Sequence, residues 1–378
     1  MSLHSRSLRR RPLAGFTLTE LLIVVAIIIL LVVATLPRIK YALDESKVRE
    51  SSRQLNSYMA LAKSRAASTG RPCGLWFVSE QIGNPNGVPP NVAFQSTQLY
   101  LAEMPAIYSG DVLDGRVYVT APGTTQPPSF SPPNGPPWDL NFVSSPASMG
   151  SMFTFFQVGD TFAIRFDHKG PIFPAQRTQN GFQITGLPIL PFPNAIALPP
   201  AANGTDPNLN PNLGYSYEIY RTPQRIGAPL ALPRGTCVDL AYSGVGNSGT
   251  DFYAAQNPVN PSRTPAVLLL FSPDGHVGNV TFRTWDSNNN VYVTISNDAQ
   301  GTIHFLVGRP EKVGLPLNQS NLWDNNALWV SVGRLTGSVV STDNAPNVNL
   351  PTGTAAQQQA FLTVAREYAI TQDVKGGQ

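Results

Sequence analysis

Ala14-Gly15-Phe16-Thr17-Leu18-Thr19-Glu20 runs directly into Leu21-Leu22-Ile23-Val24-Val25-Ala26-Ile27-Ile28-Ile29-Leu30-Leu31-Val32-Val33, so a single carboxylate heads an otherwise unbroken apolar run. An ionisable group in an apolar span costs roughly 3 kcal/mol and by default marks a functional site with a partner. If a peptidase cuts between Gly15 and Phe16, the new ammonium on Phe16 can neutralise Glu20 of a neighbouring copy when helices pack. From Phe16 to Leu36 there are about 21 residues, ~31 Å of helix at ~1.5 Å per residue, which matches the hydrocarbon core of a bilayer. The expectation is one transmembrane helix, with Arg6, Arg9, Arg10 and Arg11 on the cytoplasmic side.

Pro37 follows, where its missing N–H loosens the helical ladder one turn back. Beyond it, Val48, Ser52, Leu55, Met59, Ala62 and Ala66 recur at alternating steps of four and three, which puts one apolar-to-small stripe on a single helix face. Asp44, Glu45, Lys47, Arg49, Glu50, Arg53, Lys63 and Arg65 decorate the remaining surface. Gly70 is a suitable left-handed cap and Pro72 a stop, so the helix should run for about 54 residues.

This beginning resembles the class III signal of type IV pilins and type II secretion pseudopilins: a basic leader, Gly before the cut, Phe after it, and Glu at the fifth mature position. A secretory signal peptide is a poorer description, since its apolar region precedes the cleavage site instead of following it. The resemblance implies cleavage by a prepilin peptidase between Gly15 and Phe16, N-methylation of Phe16, a helix kink at Pro37, and Glu20 as an assembly contact.

The remainder reads as β-structure. The chain has 378 residues, 35 of them Pro and 31 Gly, and only 13% are charged. The formal charge of +3 includes four leader arginines, so electrostatics point to no nucleic-acid partner. Thr161 to Phe166 alternates apolar and polar residues, and Ser216 to Tyr220, Cys237 to Leu240, Ala266 to Phe271, Val291 to Ile295, Ile303 to Val307 and Leu328 to Val332 are short β-branched or aromatic runs. Pro273-Asp274-Gly275 and residues 286–290 carry hairpin-turn chemistry. Three proline-rich stretches, 83–90, 121–138 and 188–212, read as extended surface loops. Residues 354–370 are helix-prone, with Phe361, Val364, Ala365 and Tyr368 on one face, and are expected to cap a sheet edge.

A narrower resemblance lies in the helix end from Ser52 to Ala67 with Gly70-Arg71-Pro72-Cys73-Gly74-Leu75, in Leu232-Pro233-Arg234-Gly235-Thr236-Cys237, and in Leu270-Phe271-Ser272-Pro273-Asp274-Gly275. These segments, with 328–336 as a closing strand, are similar to GspH/FimT-type minor pseudopilins and minor pilins. The expected class is α+β: a long N-terminal transmembrane and stalk helix packed on an antiparallel β-sheet globular domain with a Pro-rich insertion. The expected division is a leader at 1–15, a transmembrane half at 16–36, an amphipathic stalk at 37–70, a β-rich periplasmic domain at 71–345 with 80–215 as an insertion or accessory subdomain, and a helical tail at 346–378.

Other motifs carry less. Gly244-Val245-Gly246-Asn247-Ser248-Gly249 fits G-x-G-x-x-G, but Thr250 to Asn257 is too short for a phosphate-binding helix and no acidic residue follows at the required distance. Asp286, Asn288 and Asn290 imitate a calcium loop, but Val291 and Asn297 stand where Gly and Glu belong. His168, His276 and His304 have no metal-pair spacing and read as turn or surface residues. No cofactor or metal is expected, and no catalysis. Cys73 and Cys237 both fall outside the cytoplasm in the expected topology, so a disulfide closing a loop of roughly 165 residues is permitted; two buried thiols are the alternative.

The resemblance thus implies a minor pseudopilin of a type II secretion system, single-pass in a bacterial inner membrane with its body in the periplasm before it enters a pilus or pseudopilus. Its implied partners are the prepilin peptidase, other pseudopilins or pilins, the inner-membrane assembly platform and the lipid bilayer, with no nucleic acid. Two alternatives remain. One is a DNA-uptake minor pilin, weakened because Ser338-Val339-Val340 follows Arg334 where further arginine is the pattern. The other is a surface adhesin or glycan-binding module on the same kind of anchor, drawn from Trp138, Trp285, Trp323 and Trp329 and from the insertion at 80–215.

Overall fold

The computed structural model describes residues 18–83, 92–110, 115–120, 138–143, 156, 158, 160–186, 215–247, 252, 267–286, 291–297, 299–345 and 355–376; the side chains of 33–43, 81, 83, 92, 93, 120, 143, 282–286, 291–297, 355, 356 and 373–376 are outside that description. Helix α1 (Leu18–Thr69) opens the described chain. It stops where the sequence says it should: Gly70 has φ +66° and its N–H donates to the Ala66 carbonyl at 3.0 Å. The stripe Val48, Ser52, Leu55, Met59, Ala62 and Ala66 is buried, while Arg49 and Glu45 pair on the exposed side at 3.0 Å.

That stripe lies on a ten-stranded antiparallel sheet. Its strands are β1 (Cys73–Gly83), β2 (Val92–Glu103), β9 (Gln224–Ala231), β10 (Cys237–Val245), β11 (Val267–Phe271), β12 (Val277–Asp286), β13 (Val291–Asn297), β14 (Ile303–Gly308), β15 (Leu328–Val332) and β16 (Val339–Asp343). The order across the sheet is β13-β12-β11-β1-β2-β10-β14-β15-β16, with β9 attached to β2 beside β10. Strands β11, β14 and β15 are buried along their whole length because both faces are covered. Leu75, Phe77, Leu269, Phe271, Phe305 and Val330 face α1. On the other face, Leu306 and Trp329 meet Phe361, Leu362, Ala365 and Ala369 of a second helix, α2 (Ala355–Gly376). Gly74 permits the close approach of β1 and β11, since a Cβ there would collide with the Leu269 carbonyl.

The second sheet comprises β3 (Arg116–Thr120), β4 (Trp138–Val143), β5 (Thr161–Phe166), β6 (Ile172–Arg177), β7 (Phe182–Ile184) and β8 (Tyr217–Arg221), ordered β3-β4-β7-β6-β5-β8. Its ends meet. Val117 and Tyr215 exchange both backbone hydrogen bonds, at 2.9 and 3.0 Å, so the six strands close into a small barrel. Further along β8, Ile219 exchanges its backbone hydrogen bonds with Tyr108, at 2.7 and 3.0 Å. Alternate residues, among them Val117, Leu140, Ile164, Phe173, Ile184 and Ile219, fill the interior.

Three expectations are corrected here. The chain is not the α+β molecule on a transmembrane stalk that the sequence led us to expect: what is described is mostly antiparallel β-sheet, and among the described residues no helix is long and apolar enough to cross a membrane. The transmembrane and inner-membrane assignments, and with them a single-pass topology with a periplasmic body, are overturned by that finding. The tail helix also differs in detail. It packs on the face of the sheet at its β15–β16 end, over the edge strand, and Val364 points away from it, 40% exposed.

Candidate assembly surface

The first turns of α1 differ from the rest of the molecule. Every described side chain from Leu18 to Val32 is exposed, and twelve of them are large hydrophobics, from Val24 at 45% to Leu18 at 79%. Monomeric proteins rarely leave a contiguous apolar surface of this kind uncovered. The helix forms nonetheless because Leu and Ala tolerate helical dihedrals well, Val and Ile lose little when packed, and Glu20 stands in the first turn, where a carboxylate opposes the unsatisfied N–H groups of a helix start. An exposed apolar rod with one acid at its head is a surface whose burial would be favourable.

Gly15 and Phe16 lie outside the described residues. Pro37 lies within α1, whose helical backbone continues through it, and its side chain is outside the description. Cys73 and Cys237 are free and buried. In the sheet register Cys73 pairs with Glu103 of β2, whereas Val238 pairs with Ser96 of the same strand, so the two cysteines stand about six residues, ~20 Å, apart along β2 and on opposite sides of it. A disulfide needs Cα atoms within ~7 Å. Burial also pushes the Cys237 thiol well above its ordinary pKa.

Of the motifs set aside in the sequence, Ser248, Gly249, Asn288 and Asn290 lie outside the described residues. Gly244 and Val245 belong to β10, and Gly246 turns out of it at φ +71°. Residues 286 and 291 to 297 belong to the β12–β13 hairpin, and among the described residues no group of acidic, histidine or cysteine side chains could hold a metal. His168 sits with Asp167 in a left-handed turn, both at φ 54°, and its Nδ1 lies 3.0 Å from Glu218 Oε1. That contact, with Tyr220 donating to Oε2 at 2.8 Å, holds the Glu218 carboxyl below its ordinary range.

Two buried polar centres were not legible in the sequence. Asp239 is fully buried: it accepts the Ala241 N–H at 3.0 Å and the Asn321 amide at 2.9 Å, and burial raises its pKa to about 7. Asn321 in turn clamps the Arg309 backbone, and Arg309 and Lys312 both reach Asp324, at 2.7 and 2.8 Å. Burial would raise Asp324, but those two cations hold it low. His304, expected at a turn or surface, is instead buried beneath α2, with Nδ1 2.9 Å from Ser331 Oγ and its pKa lowered to about 3 by burial and by Arg366. Arg366 is itself buried, donating to the Tyr242 and Gly246 carbonyls at 2.7 and 2.8 Å with its guanidinium over Trp329. Only an irregular alternation of polar residues in otherwise apolar strands could have signalled these centres.

No protein-family model matches this chain, and neither the curated proteins nor the solved structures searched contain a match.

Proposed function

We propose that this chain is a filament subunit of the pilin-like kind, a minor pseudopilin of the sort that serves type II secretion, whose α1 packs among the helices of other subunits after a prepilin peptidase removes residues 1–15. The observation that carries the reading is the exposed apolar half of α1 with Glu20 in its first turn. Two forces act there. Apolar burial is non-directional and stabilises helix packing by ~25 cal/mol per Å². The Phe16 ammonium and Glu20 carboxylate of adjacent subunits then set the axial register, because an unpaired charge inside a helix bundle is strongly unfavourable.

Mass spectrometry of the assembled protein should find a chain beginning at Phe16, and Gly15→Val should leave residues 1–15 attached. Glu20→Ala should be processed normally yet crosslink to co-expressed pilin-like subunits several-fold less than the parent at equal expression. A mature chain starting elsewhere, or undiminished crosslinking of Glu20→Ala, would sink the reading.

A further inference from the structure

His304 is fully buried where the fold has no room for its charge. In the sheet register it lies between Gly244 of β10 and Ser331 of β15, and Val340 of β16 stands opposite Ser331. Its ring meets Trp329 edge-on, with centroids 6.1 Å apart, and the Arg366 guanidinium of α2 sits over that same tryptophan at 5.7 Å. Nδ1 lies 2.9 Å from Ser331 Oγ, whereas Nε2 is buried with no hydrogen-bond partner among the described residues. A neutral imidazole can leave one ring nitrogen unused. An imidazolium has two N–H groups to satisfy, and here the second would be stranded. Of the groups facing it, Gly244, Ser331 and Val340 carry no charge, and Arg366 is a cation that opposes a second one; Glu367 points to solvent.

The helix above is docked by few polar contacts. Arg366 donates to the Tyr242 and Gly246 carbonyls and the Gln358 amide to the Tyr242 hydroxyl, all at the place where the register of β10 against β14 slips between Asp239 and Gly244. We propose that α2 is an acid-released cover: a proton taken up by His304 beside Arg366 undocks α2 from the β10–β14–β15 face while both sheets stay folded. With α2 away, His304 meets water and titrates near 6.5; with α2 in place, burial and Arg366 lower it to about 3. The open form therefore binds the extra proton, and opening grows as pH falls below about 6.5, by about tenfold per pH unit. Asp239 does not offset this local step as it does global unfolding. Its carboxyl is held by Asn321 and the Ala241 N–H, neither of them on α2, so its proton is the same with α2 on or off.

The test is amide hydrogen exchange of the full chain at about pH 7 and about pH 4.5, each rate divided by the intrinsic rate at that pH. Protection across 355–376 should fall roughly seventyfold between the two, while β3 to β8 and the 48–69 part of α1 keep theirs. His304→Gln, which can still bond Ser331 but takes up no proton, should reduce the fall to less than about threefold. His304→Leu, apolar in the same seat, gives the same reading should the glutamine variant not fold. His276→Gln, at an exposed turn, should leave the fall unchanged. Protection of 355–376 that is equal at the two pH values, a fall shared by both sheets, or a fall of parental size in either His304 variant overturns the proposal.

Discussion

Asp239 and His304 are buried ionisable groups whose shifts oppose each other in pH. Asp239 titrates near 3.8 when unfolded and at about 7 when folded, so the folded chain holds an extra proton between those values and stability falls as pH rises through that window. His304 titrates near 6.5 unfolded and at about 3 folded, so there the unfolded chain holds the extra proton and stability falls as pH drops. Each effect alone is worth up to about 4 kcal/mol across its window. Between about pH 4 and 6.5 they cancel, and the parent should melt at nearly constant temperature. Asp239→Asn should expose the histidine slope, melting lower as pH falls from about 6.5 to 4. His304→Gln should expose the opposite slope, melting lower as pH rises from about 4 to 7. Glu218 and Asp324, both held below their ordinary values, act only at about pH 4.5 and below. Thermal unfolding at three pH values decides it; parallel slopes in the two variants would contradict the assignment.

At the scale of an element, α2 sits in an apolar seat with polar anchors at Arg366 and at Gln358, whose amide donates to the Tyr242 hydroxyl at 2.8 Å. Arg366 supplies the donors for the Tyr242 and Gly246 carbonyls, and Phe361, Leu362, Ala365 and Ala369 supply the burial. Arg366→Ala strands two carbonyls and opens a cavity beside Trp329, at a cost of about 3 kcal/mol. The loss should be local: hydrogen exchange of 355–376 should accelerate by at least about tenfold while the barrel strands β3 to β8 keep their protection. Uniform acceleration across both sheets would mean that α2 is not a separate opening unit. Helical periodicity predicted this element and its Phe361 and Ala365 contacts, but Val364 shows that a face inferred from spacing alone can be too wide by one residue.

For the molecule as a whole, topology separates the two cysteines. With β2 between their strands and ~20 Å of register along it, Cys73 and Cys237 cannot approach without breaking the sheet. Denatured protein from air-oxidised preparations should therefore titrate as two thiols per chain, and a recovered Cys73–Cys237 disulfide peptide would contradict the register.

Local signals in the sequence were sufficient for what depends on local physics. The steps of four and three from Val48 to Ala66 identified the buried face of α1, Gly70 identified its end, and alternation placed Thr161–Phe166 and Leu328–Val332 as strands, because period and turn chemistry act over a few residues. Hydropathy over 16–36 also led to the expectation of a membrane span, whereas among the described residues no helix is long and apolar enough to cross a membrane. Which strands neighbour one another was beyond the sequence. Closure of six strands into a barrel by the Val117–Tyr215 pair, the splitting of one edge of β2 between β9 and β10, and the separation of the cysteines are all set by long-range pairing. The same holds for Asp239 and His304: a residue's type is local, but the desolvation that moves its pKa is produced by elements distant in sequence, and only the folded chain brings them together.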